Sequence, residues 1–424
     1  GLGDVYKRQI VLLGISTVLT GNEWIGWMND LIIFVLLVGI LLHNFAQDTG
    51  WNFGKYLAEI VAAVCGAVCF IGKPFADGGA FYRSKKTRES HAGWYVLIGI
   101  CAAVPCLMVL VLLLMSADMV FADLLVRFAG VFRFPVKLLR ILLMLVFGFL
   151  SSYCGVRYVQ KHAADIKPSA GKTAEPLIAI AFTAPIAVLY LLFSAIQIVY
   201  LFIGNMQLPA GVTYAEYARR GFFQLLFVCV LNLAAVLSIQ GYFKENRVLK
   251  ALLLAISGCT LIMTASSACR MILYIRAYQL TFLRVSVLVA LAVIALLMAG
   301  VIAKIVKPQF PLFRYGFVLV GAVYLVFSFS HVDYFIAAYN LTHTSWEASG
   351  EETVDYSYLY TLSTDAAPAI EKYAGKSGAA DYRKQGWYQL YCEANEEALN
   401  ETGLRTYNVS HAVAKQLLME DNRE

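Results

Sequence analysis

Charge is scarce in this chain. Only 15% of its 424 residues are Asp, Glu, Lys or Arg, against about 25% in soluble domains, and 60% are hydrophobic. That balance excludes an ordinary water-soluble fold. Catalytic signatures are missing too: there is no HExxH, GxSxG, Walker loop or dinucleotide fingerprint, so no standard reaction is indicated. The histidines (His43, His91, His162, His331, His343 and His411) are scattered and no two share a helical turn, which removes the usual basis for a metal centre. Cys392 is the single cysteine of the polar C-terminal stretch, so that stretch has no disulfide of its own. Cys65 and Cys69 stand one helical turn apart, but no His or carboxylate completes a site, and they read as small residues packing between helices. No nucleic-acid-binding module is recognisable. No cofactor, metal or nucleic-acid partner is expected.

What the sequence does have is hydrocarbon-compatible length. A span needs roughly 17–25 mainly apolar residues to cross about 30 Å. Runs near 10–20, 28–45, 55–72, 93–115, 136–157, 176–203, 217–241, 249–269, 283–304 and 313–331 give about ten spans. They are continuous rather than alternating, which excludes a β-barrel. The expected fold is all-α: a polytopic transmembrane helical bundle over 10–332, with a small, mainly helical extramembrane domain over 333–424. Gly1 to Gln9 resemble a read-through artefact and are expected to be non-native, without structural weight.

Charge distributes unevenly about this boundary. Asp333 to Glu424 holds 15 acids and 7 bases, leaving 13 acids and 27 bases before it. Basic loops after alternate spans (Lys73 to Arg88, Arg157 to Lys172, Lys244 to Lys250, Lys304 to Arg314) are mutually consistent and are expected to be cytoplasmic. This parity puts the acidic C-terminal domain outside the cytoplasm of a cell membrane. Asp118 to Phe132, with Phe121, Leu124, Leu125, Phe128 and Phe132 at helical spacing, reads as an amphipathic helix on the outer surface. In the tail, a strand is conceivable within Val354 to Leu362. Asp365 is expected to cap a helix through Tyr373. A second helix over about 380–400 is expected to bury Tyr382, Trp387, Leu390 and Tyr391, and a third, from Ser410, to bury Val413 and Leu417. Glu393, Glu396, Glu397 and Glu401 read as a solvated face.

The best constellation of polar residues lies at the outer ends of the spans. Thr213 to Glu216 is a capping box, placing Glu216, Arg219 and Arg220 in the first turns of a helix. If the helix ending near Cys269 continues, Arg270, Tyr274 and Tyr278 share one face, with Arg276 close by. Asp333 ends the last span on the same side. A guanidinium at membrane depth has to reach water, a carboxylate or an anionic ligand. These eight residues therefore form a candidate pocket for a lipid phosphate, a carboxylate or a peptide terminus. Structural ion pairs and interfacial anchors explain the same pattern.

The same segments carry a family resemblance. Tyr214 to Leu226 (YAEYARRGFFQLL), Ser267 to Arg284 (SACRMILYIRAYQLTFLR) and Val332 to Leu341 (VDYFIAAYNL) resemble the family of domain of unknown function 4153/4173, as do Tyr358 to Pro368 and Tyr407 to Ser410 in the tail. The resemblance covers most of the chain. It implies a bacterial polytopic membrane protein, has no assigned reaction, and is loosely associated with sensing or regulation. It also implies Gly where this chain has Gln279 and Asn where it has His331. Gly at the first position would permit a left-handed turn after Tyr278 that Gln resists. Three functions stay open, in this order. The first is a non-enzymatic sensor or scaffold meeting an anionic lipid, an envelope ligand or a membrane-protein partner. The second is a transporter of a small or lipid-linked anion. The third is a membrane-embedded transferase using Glu216 or Asp333 as base.

Overall fold

Hydrocarbon offers backbone N–H and C=O groups no partner, so each long apolar run must close its hydrogen bonds internally, as a helix. The computed structural model describes residues 2–46, 51, 53–84, 136–162, 174–199, 222–343, 345–346, 352–374, 382–400 and 406–420, with a few isolated positions besides. The described chain is an all-α polytopic bundle. Its long helices are α1 (Leu2–Leu19), α2 (Glu23–Phe45), α3 (Phe53–Cys69), α4 (Lys73–Ser84), α5 (Val136–His162), α6 (Pro176–Gln197), α7 (Phe222–Tyr242), α8 (Arg247–Tyr278), α9 (Phe282–Val306), α10 (Leu312–Phe329) and α11 (Val332–Thr342). Among the described residues, seven helices are long and apolar enough to cross a membrane, or eight if α3 and α4, bent by 61°, form one broken span. Over their described residues, the expected spans from 28 onward coincide with these helices, except 93–115, most of which lies outside the described residues, as do 200–203 and 217–221. The amphipathic helix expected over 118–132 also lies outside them, apart from Asp118 and Phe121.

Two compact units divide within α2: Gly1–Leu37 with Ala170–Glu424, and Val38–Ser169. In the smaller unit α3 and α5 pack around Leu42, Ala63 and Val159. Tyr158 meets Phe70 edge-on at 5.6 Å, and Arg157 pairs with Asp77 at 2.8 Å.

In the larger unit, helix ends are set by local chemistry. Asn246 caps α8 by accepting from Val248 N (2.8 Å) and Leu249 N (3.4 Å), satisfying amides that have no intrahelical acceptor. Around that cap, Lys172 and Lys250 both pair with Glu245 at 2.9 and 2.7 Å and pull its carboxyl down to about 2. Contacts between membrane helices gain little from apolar transfer, so small residues and hydrogen bonds carry them. Between α1, α2 and α10, fully buried Asn29 accepts from Tyr324 Oη (2.8 Å) and Ser328 Oγ (3.0 Å) and donates to Thr17 Oγ1 (3.2 Å). Ser16 and Ser328 share a hydrogen bond at 2.5 Å. The first residues belong to this packing as well: Tyr6 is buried and meets Phe317 edge-on at 4.7 Å.

The tail is helical in short pieces: α12 (Tyr356–Leu359), a 3-10 turn (Thr364–Ala366), α13 (Ala367–Tyr373), α14 (Gly386–Ala394), α15 (Glu396–Asn400) and α16 (Val409–Lys415). Ser345–Trp346 and Glu352–Thr353, β1 and β2, make a two-residue antiparallel pairing. Where a strand was conceivable, residues 356–359 form α12. Leu359, Ile370, Trp387, Tyr388 and Tyr391 share one buried cluster with Ile25 of α2 and Val332, Ile336 and Leu341 of α11. Leu390 is 47% exposed, so α14 turns Tyr388 inward in its place. In α16 and the π-helical turn that follows it (Gln416–Glu420), the buried apolar positions are Ala414 and Leu418, one residue beyond the expected Val413 and Leu417.

Candidate functional site

Asp333 and Asp365, 2% and 4% exposed, lie at one end of the larger unit, where α1 turns into α2, α10 turns into α11, and the tail folds back. A buried carboxylate is tolerated only with donors around it. Asp333 Oδ2 accepts from Asn22 Nδ2 (2.8 Å), Ser363 Oγ (2.6 Å) and Ser363 N (3.2 Å). Asp365 accepts from Thr20 Oγ1 (2.6 Å) and Gly21 N (2.9 Å), and His331 Nδ1 lies 3.3 Å away. Asp365 therefore does not cap α13, which has no side-chain cap. Its carboxylate reaches instead to a loop 344 residues earlier.

The two acids shift in opposite directions. Burial pushes the Asp333 carboxyl up despite its Ser363 and Asn22 partners. Burial acts on Asp365 too, but His331, Ser410, Thr20 and Gly21 together outweigh it and hold that carboxyl below the usual range. The Asp365 bond raises His331 above its ordinary value, against the burial of the ring.

Neighbouring side chains complete the clamp. Asn408 donates from Nδ2 to the carbonyls of Thr20 (2.6 Å) and Thr17 (3.2 Å). Its Oδ1 accepts from Ser410 N (2.8 Å). One side chain thus closes the C-terminus of α1 and the N-terminus of α16. Thr364 and Ser410 share a hydrogen bond at 2.9 Å. A Cβ at Gly21 would stand 2.0 Å from Thr364 Oγ1, so the turn closes only around glycine. The chain reverses before Asp333 through His331, which is left-handed at φ 47°.

A second junction forms where α8 ends. Gln279 has φ 64° and ψ −177°, a conformation almost confined to glycine. Its side chain supplies the compensation, donating from Nε2 to the carbonyls of His343 (2.7 Å) and Asn340 (3.3 Å) and accepting from Asp355 N (3.1 Å) at Oε1. Asn340 accepts from Leu280 N (2.8 Å) and donates to Leu280 O (2.9 Å). Arg284 donates to the carbonyls of Tyr278 and Gln279 (2.6 and 2.5 Å) and stacks 4.3 Å over Tyr274. A cation there complements the helix C-terminus.

The family profile described as Domain of unknown function (DUF4153) matches residues 9–373. The chain belongs to the DUF4153 family. Neither a curated protein nor a solved structure matches it. The DUF4153 match ends with α13, so it includes Asp333, Ser363 and Asp365, while Asn408 and Ser410 lie beyond it.

Of the pocket expected from sequence, Glu216, Arg219 and Arg220 lie outside the described residues, as does their capping box. The other five are divided. Arg270, 8% exposed, contacts Gln197 Oε1 at 3.5 Å, and that oxygen also accepts from Ser266 Oγ at 2.7 Å. Tyr274 and Tyr278 meet on one face of α8 with ring centroids 5.1 Å apart and planes tilted by 53°, and Arg276 is exposed. Asp333 turns to Asn22 and Ser363. No hydrogen bond or ion pair joins Arg270 to Asp333 among these described residues. Sequence reasoning missed Thr20 and Asn22. The tail segments that resemble the family already held Ser363, Asp365, Asn408 and Ser410, and His331 stood out as a departure from it.

Proposed function

We propose that this DUF4153 protein is a non-catalytic sensor or scaffold of the cell membrane. In this reading the tail faces away from the cytoplasm and is clamped to the helix ends by Asp333 and Asp365, and the outer end of α8 around Arg270 receives an anionic headgroup or envelope ligand. The observation that carries it is the pair of buried carboxylates whose donors come from three distant stretches: residues 20–22, 331–333 and 363–410. Such a junction transmits force or occupancy between tail and helices. It is poorly suited to catalysis, because Asp333 is 2% exposed and its Oδ2 already accepts three hydrogen bonds. A general base needs substrate within reach of a free lone pair.

A transporter is the second reading, favoured by Arg270, Gln197 and Ser266 meeting inside the bundle. Native mass spectrometry of protein extracted with its lipids tests the ligand. A stoichiometric anionic adduct that Arg270→Ala weakens, in a variant that still folds, supports the pocket. An adduct-free spectrum, or loss of expression with Arg270→Ala, assigns Arg270 to structure alone.

A further inference from the structure

The buried threonines of α6 and α8 return their proton to the carbonyl one turn back. Thr183 does so to Ala179 (2.7 Å), Thr260 to Ile256 (2.8 Å) and Thr264 to Thr260 (2.8 Å). Three serines do not. Ser194 of α6 is 3% exposed, Ser257 and Ser267 of α8 are 0% exposed, and their Oγ atoms have no hydrogen-bond partner. An unmet hydroxyl surrounded by hydrocarbon is costly, and three in one seam call for a common explanation.

Their placement supplies one. Helices α6 and α8 run parallel. Both start where Ala174 bridges to Phe243, and Gln197, at the end of α6, meets Ser266 and Arg270. Ser194, one turn before Gln197, therefore stands level with Thr264 to Ser267. Below it, Tyr190 Oη donates to Asn232 Oδ1 (2.8 Å), and Asn232 Nδ2 donates to Thr260 Oγ1 (3.0 Å). Ser257, Thr260, Thr264 and Ser267 recur at intervals of three and four, on one face of α8. Toward the helix starts the seam closes on an apolar cluster that includes Val236, Leu249, Leu253, Met298 and Val301.

We propose that this seam binds a file of water molecules. The waters bridge the hydroxyls of Ser194, Ser257 and Ser267 to the Asn232–Thr260 pair on one side and the Gln197–Ser266–Arg270 group on the other, and the file ends at the apolar cluster. Water suits the site because each hydroxyl both donates and accepts, and a buried water takes two to four such partners. An ion does not suit the stretch between Ser257 and Ser267, which offers no formal charge. From Ser257 to Arg270 the file follows about 20 Å of helix, at about 1.5 Å per residue. It is a polar path that runs to the Gln197–Ser266–Arg270 group at one end and stops at the apolar cluster at the other.

Radiolytic hydroxyl-radical labelling of the full-length protein in detergent, read by mass spectrometry, tests this. Two buried methionines serve as reporters: Met263, which precedes Thr264 on α8 and packs with Cys229 and Cys259, 1% exposed, and Met298 in the apolar cluster at the closed end, 0% exposed. Bound water generates radicals beside Met263, so Met263 is oxidised and Met298 is spared. In Ser194→Ala/Ser267→Ala, labelling of Met263 falls by about half as anchoring hydroxyls are lost. Equal protection of both methionines means a dry seam and overturns the proposal. Equal oxidation of both removes the apolar stop and overturns the one-sided path. Should the double variant fail to fold, the wild-type comparison decides alone.

Discussion

Asp365 gathers Thr20, Gly21 and His331 around one buried carboxylate, and each partner belongs to a different turn from its own. Asp365→Ala strands the buried donors of Thr20 and Gly21 and frees the half-exposed His331, and is expected to lower the unfolding free energy in detergent by about 1–3 kcal/mol, the cost of leaving buried donors unmet. Gly21→Ala should have a similar sign, because its Cβ meets Thr364 Oγ1 at 2.0 Å. The same residues set a pH dependence. His331 is raised by Asp365, so its contribution is fully present below its ordinary value of 6.5 and is lost as pH rises through the higher folded value. Asp365 is lowered, so its contribution is present above its ordinary 3.8 and is lost as pH falls through the depressed folded value. Asp333, raised by burial, works against stability once pH exceeds its ordinary 3.8. The clamp is therefore tightest in mild acid. The unfolding midpoint should fall between about pH 6 and pH 8, and His331→Asn, which keeps a residue tolerant of the left-handed turn, should flatten that slope. A slope unchanged in His331→Asn would remove His331 from the clamp. None of these pairings was readable from spacing, because Thr20 and Asp365 are 345 residues apart and nothing in a linear pattern links them.

Helix positions were more legible than helix faces and ends. Continuous apolar runs leave the backbone one choice, so the described spans fall where composition puts them. Faces in the tail were harder, as residues 409–420 demonstrate. Hydrophobicity favours Val413 and Leu417, but close packing selects Ala414 and Leu418. The end of α8 was read through a glycine that this chain lacks. Gln279 adopts the strained turn anyway, since three side-chain hydrogen bonds offset a backbone cost of about 1–3 kcal/mol. Gln279→Gly should therefore destabilise the protein despite relieving strain, and Gln279→Ala should destabilise it by about 1 kcal/mol more. A stabilised Gln279→Gly variant would mean that the side chain contributes nothing. Between helices, Asn29→Ala removes three interhelical hydrogen bonds. At about 0.6 kcal/mol each in membranes, a loss of about 2 kcal/mol in unfolding free energy is expected.

Across the chain, the larger unit joins its first helices to its last through side chains rather than through neighbouring sequence. That explains how little of the candidate site was visible in the linear pattern. Asp333 was legible as a charge at a span end, and Arg270 as a charge at membrane depth. Their partners, Asn22 and Gln197, are neutral amides without any distinguishing context. Topology remains open to a simple check: an impermeant thiol reagent should label Cys392 in intact cells if the tail faces outward, and labelling only after lysis would reverse the orientation. The clamp itself is tested most directly by hydrogen–deuterium exchange of wild type and Asp365→Asn in the same detergent. Amides of α12, α13 and α14 should lose protection in the variant while those of α7, α8 and α9 keep theirs. Unchanged protection of α12 to α14 would contradict a tail held in place by its buried carboxylates.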